Sequence, residues 1–182
     1  MKLFIISDIH GSEYYFERAL EKFEVSGADR LVILGDILYH GARNDLPRDY
    51  NPKRIIDKLN EKKEYIIAVR GNCDSEVDQM VLSFPIMSEY SNILMENKYL
   101  FLTHGHKINK ENIIPLPLNT CFLYGHTHIP EAEYKNGIYF LNPGSISIPK
   151  AGYNNSYAII DNNSFKVFDF DDNIIKKIEF NI

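Results

Sequence analysis

The chain has 182 residues, of which 45% are hydrophobic and 25% charged, and its formal net charge is −5. This length predicts a single domain spanning residues 1–182 with a full-sized core. The acidic balance makes nucleic acid an improbable partner, because duplex-binding proteins carry a basic surface. Two cysteines, Cys73 and Cys121, give no disulfide framework, so a reducing, cytoplasmic location is expected.

Targeting signals are not expected either. The apolar run that follows Lys2 has about four residues before Ser7, which is too short for the core of a signal peptide. No apolar stretch approaches the roughly 20 residues that a membrane-spanning helix needs. The N-terminal run is therefore predicted to be a strand.

The first half of the chain alternates strands with helices. Apolar runs predict buried strands at residues 2–6, 30–34 and 65–69. Ser12 is expected to cap a helix that ends at Gly27, and Asn51 and Pro52 are expected to begin a second helix. Strand, helix, strand, helix, strand predicts right-handed crossovers and a mostly parallel sheet.

The second half predicts short strands instead. Their expected positions are residues 99–103, 121–125, 131–135, 137–142, 156–161 and 164–170. Asn136-Gly137 and Asn162-Asn163 are typical of hairpin turns. The fold class is therefore α/β, with two packed sheets flanked by helices.

Polar residues follow the ends of five predicted strands, and each has a glycine nearby. Open α/β sheets bind ligands at the carboxyl ends of their strands, so five such loops are expected to face one another. Glycine permits the sharp turns that direct several side chains to one point. The polar residues are Asp8, Asp36, Asn72, His104 and His126, and the glycines are Gly11, Gly35, Gly71, Gly105 and Gly125.

This set of side chains favours metal binding. Each motif alone is weak evidence, because an Asp after a strand commonly caps a helix and a paired histidine can lie on a solvated rim. Together they offer more ligands than one ion needs, and a number that suits two ions sharing a carboxylate. Such ligands suit Mn, Fe, Zn, Ni or Mg rather than a thiolate zinc site. The seven predicted ligands are Asp8, His10, Asp36, Asn72, His104, His126 and His128.

The motif order "SDIHG", "LVILGD", "RGNCD", "LFLTHGH" and "YGHTH" resembles the calcineurin-like metallophosphoesterases over nearly the whole chain. The resemblance implies a four-layer α/β/β/α sandwich of two mixed sheets and a metal-dependent phosphodiesterase. It also implies two divalent ions, with Mn²⁺ expected first, whose shared water attacks a small phosphodiester. By motif, Asp8, His10 and His128 would hold one ion, Asn72, His104 and His126 the other, and Asp36 would bridge them. The expected catalytic residues are Asp36, Asn72, Cys73 and His104.

One position departs from the family pattern. Many members have "GNHD", and their histidine binds the phosphate and can protonate the leaving group, whereas this chain has Cys73. A thiol with a reference pKa of about 8.5 is a poor acid for this step. A neutral group also removes a cation that would help to bind a dianionic monoester. We therefore expect a preference for phosphodiesters, with Cys73 as a passive wall.

Several neighbours receive weaker predictions. Asp74 and His106 are candidates for orienting the ligand histidines. The polar loop 38–52 offers possible substrate contacts, and the "NPGS" turn is expected to be structural. The loop candidates are Tyr39, His40, Arg43, Arg48 and Tyr50, and the turn residues are Asn142, Gly144 and Ser145.

Two other functions remain open at this point. A protein-binding scaffold of the same fold, as in the retromer complex, would lack some ligands, and only Cys73 favours it here. A nuclease would share the motif order but would carry extra capping segments and a histidine at this position. Exposed strands in the second half make a homo-oligomer, a dimer or a tetramer, plausible.

Overall fold

The computed structural model describes residues 1–180, and within them it has three α-helices and eleven strands. The helices are α1 (Glu13–Ser26), α2 (Pro52–Glu61) and α3 (Glu76–Val81), with a 3₁₀ turn at Lys63–Tyr65. The strands are β1 (Leu3–Ile6), β2 (Arg30–Ile33), β3 (Ile66–Ala68), β4 (Tyr90–Met95), β5 (Lys98–Thr103), β6 (Cys121–Leu123), β7 (Glu131–Lys135), β8 (Ile138–Asn142), β9 (Ser156–Ile160), β10 (Ser164–Asp169) and β11 (Ile174–Glu179).

Helix boundaries follow the predicted signals. The Ser12 hydroxyl accepts from the backbone N–H of Tyr15, and Gly27 ends α1 in a left-handed conformation with φ of 67°. Asn51 precedes α2 as predicted, but its side chain makes no cap hydrogen bond. It donates instead to the Glu13 carboxylate at 2.8 Å, so a contact with α1 replaces the expected local one.

The strands form two mixed sheets. The first has the order β11-β10-β9-β1-β2-β3, in which only β1, β2 and β3 are parallel. The sequence predicted a mostly parallel sheet, but only half of this sheet is parallel. Antiparallel strands from the second half of the chain form the rest. The second sheet has the order β4-β5-β6-β8-β7, with a parallel centre and antiparallel edges.

Alternation along β1 shows how the sheets stack. Phe4 and Ile6 pack towards α1 and α2, whereas Leu3 and Ile5 pack between the two sheets. A third apolar cluster covers the outer face of the second sheet, where Ile108 and Leu116 pack on it. The predicted sandwich of two mixed sheets is confirmed, and its layer over the second sheet is the non-helical segment 104–120.

Three elements escaped the sequence patterns: α3, β4 and β11. Both missed strands lie at sheet edges, where exposure weakens the alternation of apolar and polar residues.

Candidate metal centre

The loops after β1, β2, β3, β5 and β6 meet at one edge of the two sheets, as predicted. Backbone hydrogen bonds join them: the N–H of Asp8 donates to Gly35 at 3.1 Å, and that of His10 donates to Asp36 at 2.9 Å. The second sheet contributes in the same way, because the N–H of Gly125 donates to the His104 carbonyl at 2.9 Å.

Three of the predicted ligands form a compact cluster, here called the inner triad: Asp8, His10 and His128. All three are buried, with exposed fractions of 0%, 1% and 3%. The His128 Nε2 lies 3.2 Å from Asp8 Oδ1 and 3.4 Å from the His10 Nε2. Ligand atoms this close can share one ion.

Backbone carbonyls fix the orientation of the site histidines. His10 Nδ1 lies 2.9 Å from the Tyr39 carbonyl, and His128 Nδ1 lies 2.5 Å from that of Ile148. A carbonyl can only accept, so each Nδ1 must carry a proton, and in the neutral ring each Nε2 then presents its lone pair. This is the arrangement that metal-binding histidines use.

Asp36 lies between the inner triad and its neighbours. Its Oδ2 is 3.7 Å from the His10 Nε2 and 3.5 Å from the His104 Nε2. Its Oδ1 accepts from the backbone N–H of Cys73 at 2.7 Å, which holds the carboxylate in place. This oxygen therefore lies near two of the predicted ligand histidines, His10 and His104.

The remaining predicted ligands form a looser outer triad: Asn72, His104 and His126. His104 is fully buried, and its Nδ1 lies 2.6 Å from the Leu34 carbonyl. Its Nε2 lies 3.1 Å from Asn72 Oδ1, although Asn72 itself is exposed. His126 is half-buried, and its ring centroid is 5.1 Å from that of His104. The structure thus brings Asn72 and His104 together and leaves His126 beside them.

Five of the seven predicted ligands have a left-handed backbone. Few non-glycine residues adopt a positive φ, and such strain concentrates at functional sites. The sequence predicted that glycines would make the turns. It did not indicate that the predicted ligands themselves would have a left-handed backbone. The φ values are 55° for Asp8, 49° for His10, 55° for Asp36, 65° for His126 and 60° for His128.

Two glycines leave room for the carboxylates. A Cβ on Gly71 would lie 2.1 Å from Asp36 Oδ1, and a Cβ on Gly125 would lie 2.9 Å from Asp8 Oδ2 and 1.9 Å from the Ser7 hydroxyl. Any larger residue at either position would displace a predicted ligand.

Asp74 holds two of the loops together. Its Oδ2 accepts from the backbone N–H groups of Asp36 at 2.9 Å and Gly71 at 2.7 Å, and its Oδ1 accepts from Ile37 at 2.8 Å. The expectation that Asp74 orients a ligand histidine needs correction, because its hydrogen bonds go to backbone amides. It positions the backbone that carries Asp36 and Asn72.

The carboxylates and histidines of the site shift one another's pKa values. Burial alone would raise the pKa of Asp8, but the approach of His128 and the charges of the other histidines hold that pKa below its usual range. Burial would lower the pKa of His104, yet Asp36 and Asp8 raise it to about 9. A cation bound here would compete with these protons, so metal binding is expected to release them.

A buried oxygen supports the fit of this donor set to a cation. Asp8 Oδ1 is buried and accepts no well-aligned hydrogen bond within residues 1–180, although His128 is near. Two Nε2 lone pairs, on His10 and His128, converge beside it. Such a group of acceptors is costly to bury unless a proton or a metal ion lies among them. The residues present therefore fit a divalent metal.

A cavity of about 440 Å³ opens above the predicted ligands. Lys150 also lines this cavity, which the sequence analysis did not predict. Its backbone N–H donates to the His128 carbonyl at 3.2 Å. A basic residue soon after the "NPGS" turn was the available signal. The lining residues are His10, Asp36, Gly41, Ala42, Arg43, Asn44, Asn72, Cys73, His126, His128 and Lys150.

Cys73 is part of this lining and is half-buried. Burial and the nearby Asp36 carboxylate hold the pKa of its thiol far above the usual range. The Asn72 side-chain amide donates to its sulfur at 3.2 Å. A protonated thiol in this position agrees with the expected passive wall.

Of the residues in loop 38–52 that were predicted to lie near the site, some line the cavity and others do not. In loop 38–52, Arg43 lines the cavity, whereas Arg48 lies 3.5 Å over the ring of Tyr14. Tyr50 and His40 pack edge-to-face with each other and, like the exposed Tyr39, do not line the cavity. Of the five loop candidates, Arg43 is thus the one whose position at the cavity favours a substrate contact.

His106 lies beside the outer triad, with its ring centroid 5.4 Å from that of His104. Its Nδ1 is buried with no hydrogen-bond partner within residues 1–180. The suggestion that it orients His104 gains no support, because the Leu34 carbonyl already does so.

The "NPGS" turn supports the ligand loops from below, as its predicted structural role requires. The Ser145 hydroxyl donates to the Asp8 carbonyl at 2.8 Å, and the Asn142 amide donates to the Gly125 carbonyl at 2.9 Å. The N–H of Gly144 donates to the Asn142 side chain at 2.8 Å and closes the turn.

Two mixed sheets with a histidine and carboxylate cluster at one edge define a metallophosphoesterase. The model of the calcineurin-like phosphoesterase superfamily domain matches residues 1–164. The chain belongs to this superfamily, as the motif order indicated. No helix within residues 1–180 is long and apolar enough to cross a membrane.

Individual relatives agree with this assignment. The phosphodiesterase YfcE of Escherichia coli K12 is 51% identical over 182 residues, which cover 100% of this chain and 99% of that protein. The structure of E. coli YfcE, described as a phosphoesterase, superposes with a TM-score of 0.98 and covers 100% of both chains. Vacuolar protein sorting 29 of Cryptosporidium parvum is 19% identical, with a TM-score of 0.67 over 100% of this chain and 98% of its own, and shares the fold.

Proposed function

We propose that this protein is a metal-dependent phosphodiesterase that hydrolyses small phosphodiesters with water activated by two divalent ions. The observation that carries the proposal is the position of Asp36 Oδ2, 3.7 Å from a histidine of the inner triad and 3.5 Å from one of the outer triad. One carboxylate oxygen between two histidine-containing clusters suits a pair of ions. The similarity to YfcE, a phosphodiesterase by name, supports the type of reaction.

The inner triad would hold one ion and the outer triad the other, with Asp36 between them. Bound ions would lower the pKa of a water and neutralise charge on the phosphate. Mn²⁺ is our first choice, with Ni²⁺, Mg²⁺, Fe²⁺ and Zn²⁺ as alternatives, because oxygen and imidazole donors accept all of them.

The chain itself would bind and orient the substrate. Asn72 lines the cavity, and its side-chain amide can donate to a phosphate oxygen. His104 is fully buried and outside the cavity lining, so we assign it to metal binding. Asp36 lines the floor, where its charge and position would hold both ions near the phosphate.

Cys73 supports a preference for diesters. A neutral thiol offers no positive charge to a dianionic monoester and no ready proton to an alkoxide leaving group. A diester carries one charge fewer, and a diester with a good leaving group needs less protonation. Cys73 would therefore contribute shape to the site and leave proton transfer to water.

The test compares a matched pair of substrates. Purified protein is treated with a chelator, and Mn²⁺, Ni²⁺, Mg²⁺ or Zn²⁺ is added back. Turnover of bis-p-nitrophenyl phosphate and of p-nitrophenyl phosphate is then measured. Metal-dependent diester cleavage with little monoester cleavage is the expected result. Equal monoester cleavage would contradict the role given to Cys73, and no turnover despite bound metal would favour a protein-binding role.

A substitution isolates the contribution of Cys73. Cys73→His should raise monoester cleavage relative to diester cleavage, because imidazole adds a proton donor and a partial positive charge. Cys73→Ser is the matched control: it keeps a small neutral group and should leave the ratio unchanged. A flat ratio in both variants would refute the argument.

A further inference from the structure

Two cationic side chains line the cavity without a partner. Arg43 comes from the loop after β2, and Lys150 comes from the connection between β8 and β9. Within residues 1–180 neither side chain makes an ion pair or a hydrogen bond. The net charge of the chain is −5, so acidic partners are abundant elsewhere on its surface.

The other arginines show how unusual Arg43 is. Each of them has an acidic, carbonyl or aromatic partner within the described residues. Their partners are Phe170 and Asp171 for Arg18, Asp29 for Arg30, Asp49 and Tyr14 for Arg48, Glu13 for Arg54, and Asp74 and Glu76 for Arg70. An unpaired guanidinium at a cavity wall is available to a ligand.

The backbone around Arg43 is held in a closed turn. The N–H of Asn44 donates to the Gly41 carbonyl at 3.2 Å, and the Asn44 side chain donates to the His40 carbonyl at 2.8 Å. Gly41 has a φ of 83°, and a Cβ there would lie 3.2 Å from the Cys73 sulfur. The turn therefore passes close to Cys73.

Arg43 and Lys150 could bind either the reacting phosphate or another group of the substrate, and the size of the cavity bears on this choice. A volume of about 440 Å³ exceeds what a phosphate group alone needs and falls within the range that holds drug-sized ligands. Asp36, Asn72 and the site histidines already line the part of the cavity where a reacting phosphate would bind. The cavity thus has room for a second anionic group beside the reacting phosphate, and the guanidinium of Arg43 is well suited to bind a carboxylate or a phosphate.

We propose that Arg43 and Lys150 select phosphodiesters that carry a further anionic group, a carboxylate or a phosphate, on one of their two ester groups. This inference rests on the proposed phosphodiesterase function and narrows its substrate class. The rival explanation is that both cations bind the reacting phosphate, in which case they would help every diester equally.

A pair of synthetic esters distinguishes the two explanations. One is p-nitrophenyl phenyl phosphate, and the other is p-nitrophenyl 4-carboxyphenyl phosphate, which adds only a carboxylate. Release of both phenols is followed with Mn²⁺-loaded protein, so either orientation in the site is detected. Binding of phenyl phosphate and of 4-carboxyphenyl phosphate is measured by calorimetry as a readout that needs no turnover.

The carboxylated ester should have a kcat/KM about tenfold higher, through a lower KM, which corresponds to about 1.4 kcal/mol. Arg43→Met and Lys150→Met should each bring this ratio towards one. Arg48→Met in the same loop and Lys53→Met on α2 are the controls, and they should keep the ratio, because neither residue lines the cavity.

The contradicting results are distinct from one another. A wild-type ratio of one, or equal loss of both esters in Arg43→Met and Lys150→Met, would overturn this selection while leaving the phosphodiesterase intact. Failure to cleave either ester with any metal would overturn the proposed function and this inference with it.

Discussion

The inner and outer triads meet at Asp36, but the chain holds them very differently. Every member of the inner triad is at most 3% exposed, and both of its histidines are fixed by backbone carbonyls. In the outer triad only His104 is buried and fixed in this way, whereas Asn72 is exposed and His126 half-buried.

This difference predicts two unequal metal sites. Ligands that are already oriented lose little conformational freedom when an ion binds, so the inner triad should bind more tightly. Two members of each triad line the cavity, but those of the outer triad, Asn72 and His126, are the more exposed and can adjust to the substrate. A tight ion would then be retained for structure and position, and a weaker one would exchange with the cellular supply.

Removing the carboxylate of Asp36 should have the largest effect, because Asp36 lies next to a histidine of each triad. Asp36→Asn keeps the shape of the side chain and removes its charge. We expect metal-dependent cleavage of bis-p-nitrophenyl phosphate to fall by at least about 100-fold, beyond the usual effect of residues outside the first coordination shell. Calorimetric titration with Mn²⁺ should show both binding steps weakened, and an unchanged tight step would contradict the bridging position.

Replacing one histidine from either triad should have the next largest effect, which is the loss or weakening of one Mn²⁺-binding step. His128→Ala should remove the tight Mn²⁺-binding step, whereas His126→Ala should keep it and weaken only the second step. Titration of metal-free protein with Mn²⁺, followed by calorimetry, separates the two steps. The comparison between the triads fails if the two variants lose the same step.

Asp74→Ala should disturb both triads through the backbone. Three buried amides, those of Asp36, Ile37 and Gly71, would lose a charged acceptor. We expect turnover to fall by about 10- to 100-fold, and the free energy of unfolding in urea to fall by about 3 kcal/mol. Asp45→Ala, an exposed change in loop 38–52, is the control and should alter neither quantity.

His106→Gln should have the smallest effect. The ring lies beside the outer triad, but the carbonyl of Leu34 already orients His104. We expect turnover and both Mn²⁺-binding steps to stay within about twofold of the wild type, in line with other substitutions that remove no specific contact. A loss comparable to that of His126→Ala would place His106 within the outer triad.

Much of the site could be predicted from the sequence, because its signals are local. Asp8, Asp36, Asn72, His104 and His126 each follow an apolar run, and the carboxyl ends of such strands meet at one edge. What the sequence could not give is the backbone of these residues. The left-handed conformations of Asp8, Asp36 and His126 depend on contacts between loops that lie far apart along the chain.

The fold, too, could be predicted where it depends on neighbouring residues, but not where it depends on residues far apart along the chain. Ser12 and Gly27 mark the ends of α1 because caps depend on neighbouring residues. The partners of β9 could not be predicted, since an apolar run does not indicate which sheet it will join. Asn51 shows a local and a distant contact competing for one side chain. Its position before α2 was predicted, but its side chain donates a hydrogen bond to Glu13 on α1.

The central place of β1 has a consequence for the order in which the protein is made. β1 pairs with β2 on one side and with β9 on the other, and Ser145 and Ser147 hold the carbonyl of Asp8. A ribosome that adds about 5–20 residues per second needs roughly 8–30 s to proceed from Asp8 to the end of β9. Throughout that time the first strand has at most one of its two partners. A chain interrupted before residue 156 would contain all seven predicted ligands but not β9, so the strand that leads into Asp8 and His10 would have no partner on that side.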